Sequence, residues 1–211
     1  MKLYYSPIST YSQKALMGLY EKNAAFDREV VKLTDPDSRA AFSELYRVGK
    51  VPLLVLDDGY KIPESSIIIE YLEGHISGGT KLIPSDKDAA RKVRFLDRAC
   101  DLYLNNATTT LLFDMIKFRP FLEQDLETAR KHLGIACDHL DSVLGEQEWL
   151  GSEGFSMADC AAIPTLFYTQ VVHPIDGYQN LSRYWAQAQN RPSYQKVRAE
   201  FEPIWQSMMG G

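Results

Sequence analysis

Lys50-Val51-Pro52-Leu53-Leu54-Val55-Leu56-Asp57-Asp58-Gly59-Tyr60-Lys61-Ile62-Pro63-Glu64-Ser65-Ser66 is the stretch that sets the architecture. Residues 53–56 form a short apolar run of strand formers, and Asp57-Asp58-Gly59 is a hairpin turn signal. A second short strand is expected over 60–62. Pro63-Glu64-Ser65-Ser66 then opens a segment whose apolar residues Ile67, Ile68, Tyr71 and Leu72 recur at helical spacing. Pro52 has no backbone N–H to give to a ladder, so it belongs at a strand start or in a special turn. The serines at the helix opening leave free backbone N–H groups at a positive dipole end, which suits a carboxylate ligand.

Upstream, 2–5 reads as a first strand and Ser6-Pro7-Ile8-Ser9 as the turn out of it. From Ser12 to Asn23 the pattern is helical, with Ala15, Leu16, Leu19 and Tyr20 on one face. Residues 26–33 alternate enough for a second strand. Thr34-Asp35-Pro36-Asp37-Ser38 is a breaker cluster, and 39–46 predicts a short helix. The order is βαβαββα, a mixed sheet covered by helices.

Residues 74–84 carry Gly74, Ser77, Gly78, Gly79 and Pro84 with little periodicity and read as a linker. Beyond it no strand pattern returns. One long helix is expected from the Ser85-Asp86 cap to about Lys117, where Pro120 ends it. A second is expected over 121–144, closed by Gly145, and a third from Phe155-Ser156-Met157-Ala158-Asp159 to about Val172, before His173-Pro174. Shorter helices fit 181–190 and 193–207. Ser156 and Asp159 form a short-armed capping box, to which only a structural role is assigned.

Composition narrows the function classes. The chain has 211 residues, 45% hydrophobic and 24% charged, ordinary for a globular protein with a sizeable core. A net charge of −5 gives no general affinity for nucleic acid or anionic membrane. No apolar run is long enough to cross a bilayer, and Met1-Lys2-Leu3-Tyr4-Tyr5 enters a strand directly, which predicts no signal peptide. Cys100, Cys137 and Cys160 are odd in number and widely spaced, and predict neither disulfides nor a metal site. His75, His132, His139 and His173 lack paired metal spacing. No metal and a cytoplasmic location are the expectations.

Val51-Pro52, a short hairpin, then Glu64-Ser65 at a helix start resembles the glutathione-binding half of a glutathione S-transferase. The resemblance covers the whole chain, since that family joins a thioredoxin-like domain to an all-α domain. It implies an α/β plus all-α fold: a thioredoxin-like domain over 1–76, a linker over 77–86 and an all-helical domain over 87–211. It also implies a cis Val51–Pro52 bond, with the Val51 backbone free to pair with an extended peptide. Glu64 and Ser65 would bind the γ-glutamyl end of glutathione, with Ser65 and helix N–H groups on its carboxylate and Glu64 facing its amine.

Such an enzyme must present glutathione as a thiolate, because the thiolate is the nucleophile. Lowering a thiol pKa by about two units takes roughly 2.7 kcal/mol of stabilisation. A hydroxyl at the N-terminus of the first helix would supply part of it, aided by the dipole. Ser9-Thr10-Tyr11-Ser12 offers several. The pattern resembles serine-type classes, phi and zeta in particular, in a bacterial-type chain, and carrying their motif over puts the catalytic serine at Ser9. Thr10 and Tyr5 are the rival hydroxyls, and Ser12 reads equally as a plain helix cap. No Cys precedes Cys100, which excludes cysteine-type chemistry at this position.

For the glycine carboxylate the resemblance points to Arg39 with Ser38, and to Lys50 beside Val51. The family's common Asn-Pro is replaced here by Tyr46-Arg47. A second substrate, a small hydrophobic electrophile, is expected between Tyr11 and the first helices of the helical domain, where Tyr103, Phe113, Met115, Ile116 and Phe118 are the apolar candidates. The implied function is a cytoplasmic, homodimeric glutathione transferase of detoxification type, with glutathione as co-substrate. The alternatives are a glutathione-dependent peroxidase or isomerase and a non-catalytic interaction module of the same fold.

Overall fold

The structure is a computed structural model and describes residues 1–151 and 153–210. The chain forms two compact units, one made of residues 1–80 together with the segment from Lys196 onward, the other of residues 81–195. The first unit holds β1 (Lys2–Tyr5), α1 (Thr10–Glu21), β2 (Asp27–Val30), α2 (Pro36–Leu45), β3 (Leu53–Val55), β4 (Lys61–Pro63) and α3 (Ser65–His75). The sheet order is β2-β1-β3-β4, with β1 parallel to β2 and antiparallel to β3, and β3 antiparallel to β4. This is the expected βαβαββα order.

Side chains alternate across this sheet. Leu3, Leu54 and Ile62 are register neighbours, all buried, and share one face. Tyr4, Leu53 and Val55 take the other, where they pack with Val31 and Phe42 of the α2 side. Strand β2 is shorter than the expected 26–33 because β1 offers only four partners, and its residues are all exposed, as suits a charged edge strand. Helix α2 starts three residues earlier than expected. Asp35 caps it by accepting from the Asp37 N–H, and Pro36 sits at the first helical position, where a missing N–H costs nothing. The breaker cluster is therefore a helix start.

Within the expected linker, Thr80 is tied back to α1: its N–H donates to the Glu21 carbonyl at 2.8 Å and its hydroxyl to the Glu21 carboxylate at 2.5 Å. Gly79 has φ +73, and a Cβ there would collide with the backbone of Glu21 and Lys22.

The second unit is helical: α4 (Lys87–Ala99), α5 (Asn106–Met115), α6 (Glu123–Leu144), α7 (Met157–Val172) and α8 (Gln179–Ala188), with α9 (Pro192–Met209) starting in it. The single long helix expected over 85–117 is continuous in backbone conformation but interrupted by a π-helical segment, Cys100–Asn105, between α4 and α5. The core is anchored by Asp159. Its carboxylate accepts from the Ser156 N–H (2.8 Å) and hydroxyl (2.9 Å), the Leu150 N–H (2.9 Å) and the Tyr184 hydroxyl (3.0 Å). The capping box is present, and Leu150 and Tyr184 extend it into a buried network. Among the described residues no helix is long and apolar enough to cross a membrane.

Candidate functional site

Register brings the sequence motifs to one end of the sheet. Tyr4 pairs with Leu53, and Leu53 with Pro63. The exit of β1 toward Ser9, the entry to β3 at Val51-Pro52 and the exit of β4 to Glu64-Ser65 therefore lie at the same edge. The Val51–Pro52 peptide bond is cis. Pro52 is buried and Val51 half-buried. The loop before it is closed by the Gly49 N–H on the Tyr46 carbonyl at 2.8 Å, with Tyr46 packed against Phe42.

Ser9 is the N-cap of α1 and half-buried; its Oγ accepts from the Ser12 N–H at 3.4 Å, which leaves its own O–H free to donate. Thr10 is the first helical residue and half-buried. Ser12 is wholly buried and turned inward, its Oγ accepting from the Ser6 N–H at 3.2 Å. Gln13 holds the same turn through Nε2 to the Pro7 carbonyl at 2.7 Å. Tyr5 is buried and engaged elsewhere: its hydroxyl donates to Glu200 Oε2 at 2.8 Å. Burial, and then the Glu200 carboxylate, push the Tyr5 phenol up to about 12.

At the other side of the site, Glu64 is the N-cap of α3 with φ +68 and gives no side-chain cap. Ser65 is the first helical residue, buried to 3% exposure, and its hydroxyl has no hydrogen-bond partner among the described residues. The backbone N–H groups of the first turn, which every helix leaves without intrahelical acceptors, thus stand uncapped beside it. That is an anion site in form. Arg39 and Lys50 are exposed, and Ser38 is committed to the Lys32 N–H at 3.0 Å.

The candidates for a second substrate fall into both units. Tyr11 is half-buried in the first turn of α1. In the second unit Tyr103 lines a groove of about 890 Å³ between the α4–α5 rod and α6, whereas Phe113 packs on Phe118 with ring centroids 4.7 Å apart.

Sequence reading passed over Lys14. It lies on α1 but only 1% exposed, with its ammonium 2.8 Å from Ser66 Oγ. Periodicity gives no hint of it, because the run Ser12-Gln13-Lys14 lies outside the apolar face of Ala15, Leu16 and Leu19 and is nevertheless buried throughout. The one signal is Gly18, a turn further on, where a Cβ would come within 2.8 Å of Ile69 Cγ1: α1 and α3 approach too closely for solvent.

Comparison with known proteins agrees with this geometry. Residues 3–79 match the family described as "Glutathione S-transferase, N-terminal domain" and residues 123–186 match "Glutathione S-transferase, C-terminal domain". The chain is 27% identical to glutathione S-transferase F10 of Arabidopsis thaliana, covering 93% of this chain and 96% of that one. It is also 27% identical to glutathione S-transferase hmp2 of Hypomyces subiculosus, over 95% of this chain and 98% of the other. A crystal structure of a glutathione S-transferase from Methylobacillus flagellatus, with glutathione bound, superimposes with a TM-score of 0.83 at 29% identity, covering 93% of this chain and 98% of that one. The two family matches together span about two thirds of the chain and the relatives nearly all of it, so this chain belongs to the glutathione S-transferase family.

Proposed function

We propose that the protein is a serine-type glutathione transferase that activates the glutathione thiol for attack on a hydrophobic electrophile. The observation that carries this reading is the convergence of the Ser9 cap, Val51-Pro52 and Glu64-Ser65 at one end of the sheet. Glutathione lies along that edge. Its γ-glutamyl carboxylate takes the Ser65 hydroxyl and the uncapped N–H groups of α3, its amine faces Glu64, and its backbone pairs with Val51. Arg39 or Lys50 supplies the cation for the glycine carboxylate. The Ser9 hydroxyl, free to donate, holds the thiolate at the positive end of α1.

The assignment to Ser9 over Tyr5 is supported by the Tyr5–Glu200 bond, which commits the phenol proton to a carboxylate. Thr10 stays as the rival, one residue on. In the reaction the thiol proton passes to solvent, the thiolate sulfur forms a bond to the electrophilic carbon, and the leaving group departs with the bonding pair. With a chloronitrobenzene that leaving group is chloride.

The protein is also proposed to work as a homodimer. The groove on the second unit exposes Phe95 (49%), Leu102 (40%), Tyr103 (56%) and Ile135 (55%) together, an apolar patch of the kind that marks an interface. Sedimentation at micromolar concentration should give twice the 24.0 kDa chain mass. Cys100, Cys137 and Cys160 are buried and joined in no disulfide, which suits a reducing compartment, and we place the protein in the cytoplasm.

The experiment is retention on immobilised glutathione followed by turnover of a chloronitrobenzene. Retention with turnover supports the transferase. Turnover of a peroxide or an isomerisable substrate alone points to the other glutathione chemistries, and retention with no turnover at all reduces the protein to a binding module.

A further inference from the structure

The buried ammonium of Lys14 has no part in the site as described so far. A lysine at 1% exposure is a rarity that needs polar partners, and one of them is Ser66 Oγ at 2.8 Å. Helices α1 and α3 meet first where Gly18 lies under Ile69, and one turn toward the N-terminus of α1 the same contact brings Lys14 to Ser66. Ser66 is the second helical residue of α3 and follows Ser65 directly. Lys14 therefore places its charge behind the one helix terminus that, among the described residues of the first unit, starts without a side-chain cap, and whose first residue, Ser65, is 3% exposed with no hydrogen-bond partner for its hydroxyl.

We propose that Lys14 is a positioning residue for glutathione. It holds the first turn of α3 through Ser66 and adds a fixed positive charge behind the N–H groups that receive the γ-glutamyl carboxylate. This rests on the reading of α3 as the γ-glutamyl site. Because Lys14 lies behind the helix turn and not in front of it, it acts through Ser66 and the local field and touches no reacting atom. Its effect belongs to affinity for one carboxylate, and turnover at saturating glutathione is independent of it. Low dielectric around a buried charge makes such a field effective over more than one contact distance.

The test is calorimetric, on the full chain, with two ligands: glutathione, and the analogue in which the γ-glutamyl α-carboxylate is replaced by hydrogen. Lys14→Met should weaken glutathione about tenfold, leave the analogue within about twofold and leave kcat at saturating glutathione within about twofold, while Lys14→Arg recovers most of the glutathione affinity. Equal losses for the two ligands, or none for either, would overturn the proposal. Should Lys14→Met fail to fold, Ser66→Ala carries the same comparison: a loss confined to glutathione supports the proposal and an equal loss for both ligands refutes it. Failure of the parent protein to bind glutathione is a separate result that removes the γ-glutamyl reading itself.

Discussion

The Tyr5 hydroxyl donates to Glu200 Oε2 at 2.8 Å, joining residues 195 apart in the chain. Tyr20 donates to the same carboxylate at 3.2 Å, and Arg28 ion-pairs with it. The segment from Lys196 onward is thereby fastened to β1, α1 and β2, and counts with the first unit for that reason. Tyr5→Phe should keep chloronitrobenzene turnover within about twofold while lowering stability by about 1.5–3 kcal/mol, the range for a hydrogen bond to a charged group. Urea denaturation and steady-state kinetics on the same variant check both halves.

Ser9→Ala should lower kcat by about ten- to a hundredfold, the equivalent of roughly 1.5–3 kcal/mol for one charge-assisted hydrogen bond to the thiolate. The deficit should shrink at high pH, where the thiol ionises unaided. Affinity for glutathione should change little, since the proposed γ-glutamyl anchor is Ser65. The same substitution removes the α1 cap, at about 1 kcal/mol of stability. A pH–rate profile of Ser9→Ala beside Thr10→Val separates the two hydroxyls: a full-rate Ser9→Ala with a crippled Thr10→Val moves the assignment to Thr10.

Ser65→Ala is expected to show the opposite split, weakening glutathione binding by about tenfold with kcat nearly unchanged. Titration calorimetry and saturation kinetics read it directly, and a fall in kcat at unchanged affinity would contradict the role given to Ser65.

Asp159 gives a pH dependence with a definite sign. Burial pushes its carboxyl up to about 6, against the opposing pull of its Leu150, Ser156 and Tyr184 donors. A folded pKa above the unfolded carboxylate value near 4 means that protonation favours the fold. Its contribution is complete below about pH 4 and is lost as pH rises through 6, on the order of 3 kcal/mol in all. The stability difference between the parent and Asp159→Asn should therefore shift in the parent's favour as pH falls from 7 to 4. Asp159→Ala, which strands the four donors of Leu150, Ser156 and Tyr184, should cost about 3–5 kcal/mol at pH 7 and more as pH falls toward 4.

Gly79→Ala should destabilise the first unit by at least about 2 kcal/mol, because φ +73 penalises any Cβ and the Glu21 carbonyl occupies its place. Gly18→Ala clashes only with the side chain of Ile69 and touches Leu72 at ordinary contact distance, so its cost of about 1–3 kcal/mol should be less than additive with Ile69→Ala. Thermal unfolding of the single and double variants measures the coupling.

Local signals in the chain carry a large part of this protein. The Asp57-Asp58-Gly59 turn, the strand runs on either side of it and the helical periodicity from Ile67 onward each act over a few residues, and the elements appear within a few positions of where they are expected. The Ser156/Asp159 box is legible for the same reason: its atoms are three residues apart. The motif spacing from Val51-Pro52 to Glu64-Ser65 spans one hairpin, so the geometry of that hairpin was already implied by its length.

Contacts across long separations left no such trace. Glu200 meets Tyr5 and Lys14 meets Ser66 because α9 and α3 each fold back onto α1 and β1, and nothing near either residue in sequence encodes its partner. The burial of Ser12, Gln13 and Lys14 is of the same kind: an isolated helix exposes them, and only packing against neighbours makes their polar groups costly unless paired. The π-helical segment at Cys100–Asn105 is invisible to a 3.6-residue period, since it changes the helical phase without changing the composition. Residue types and spacing suffice for an element's identity because propensity and capping are local energies; the partner of a buried charge is a property of the assembled core.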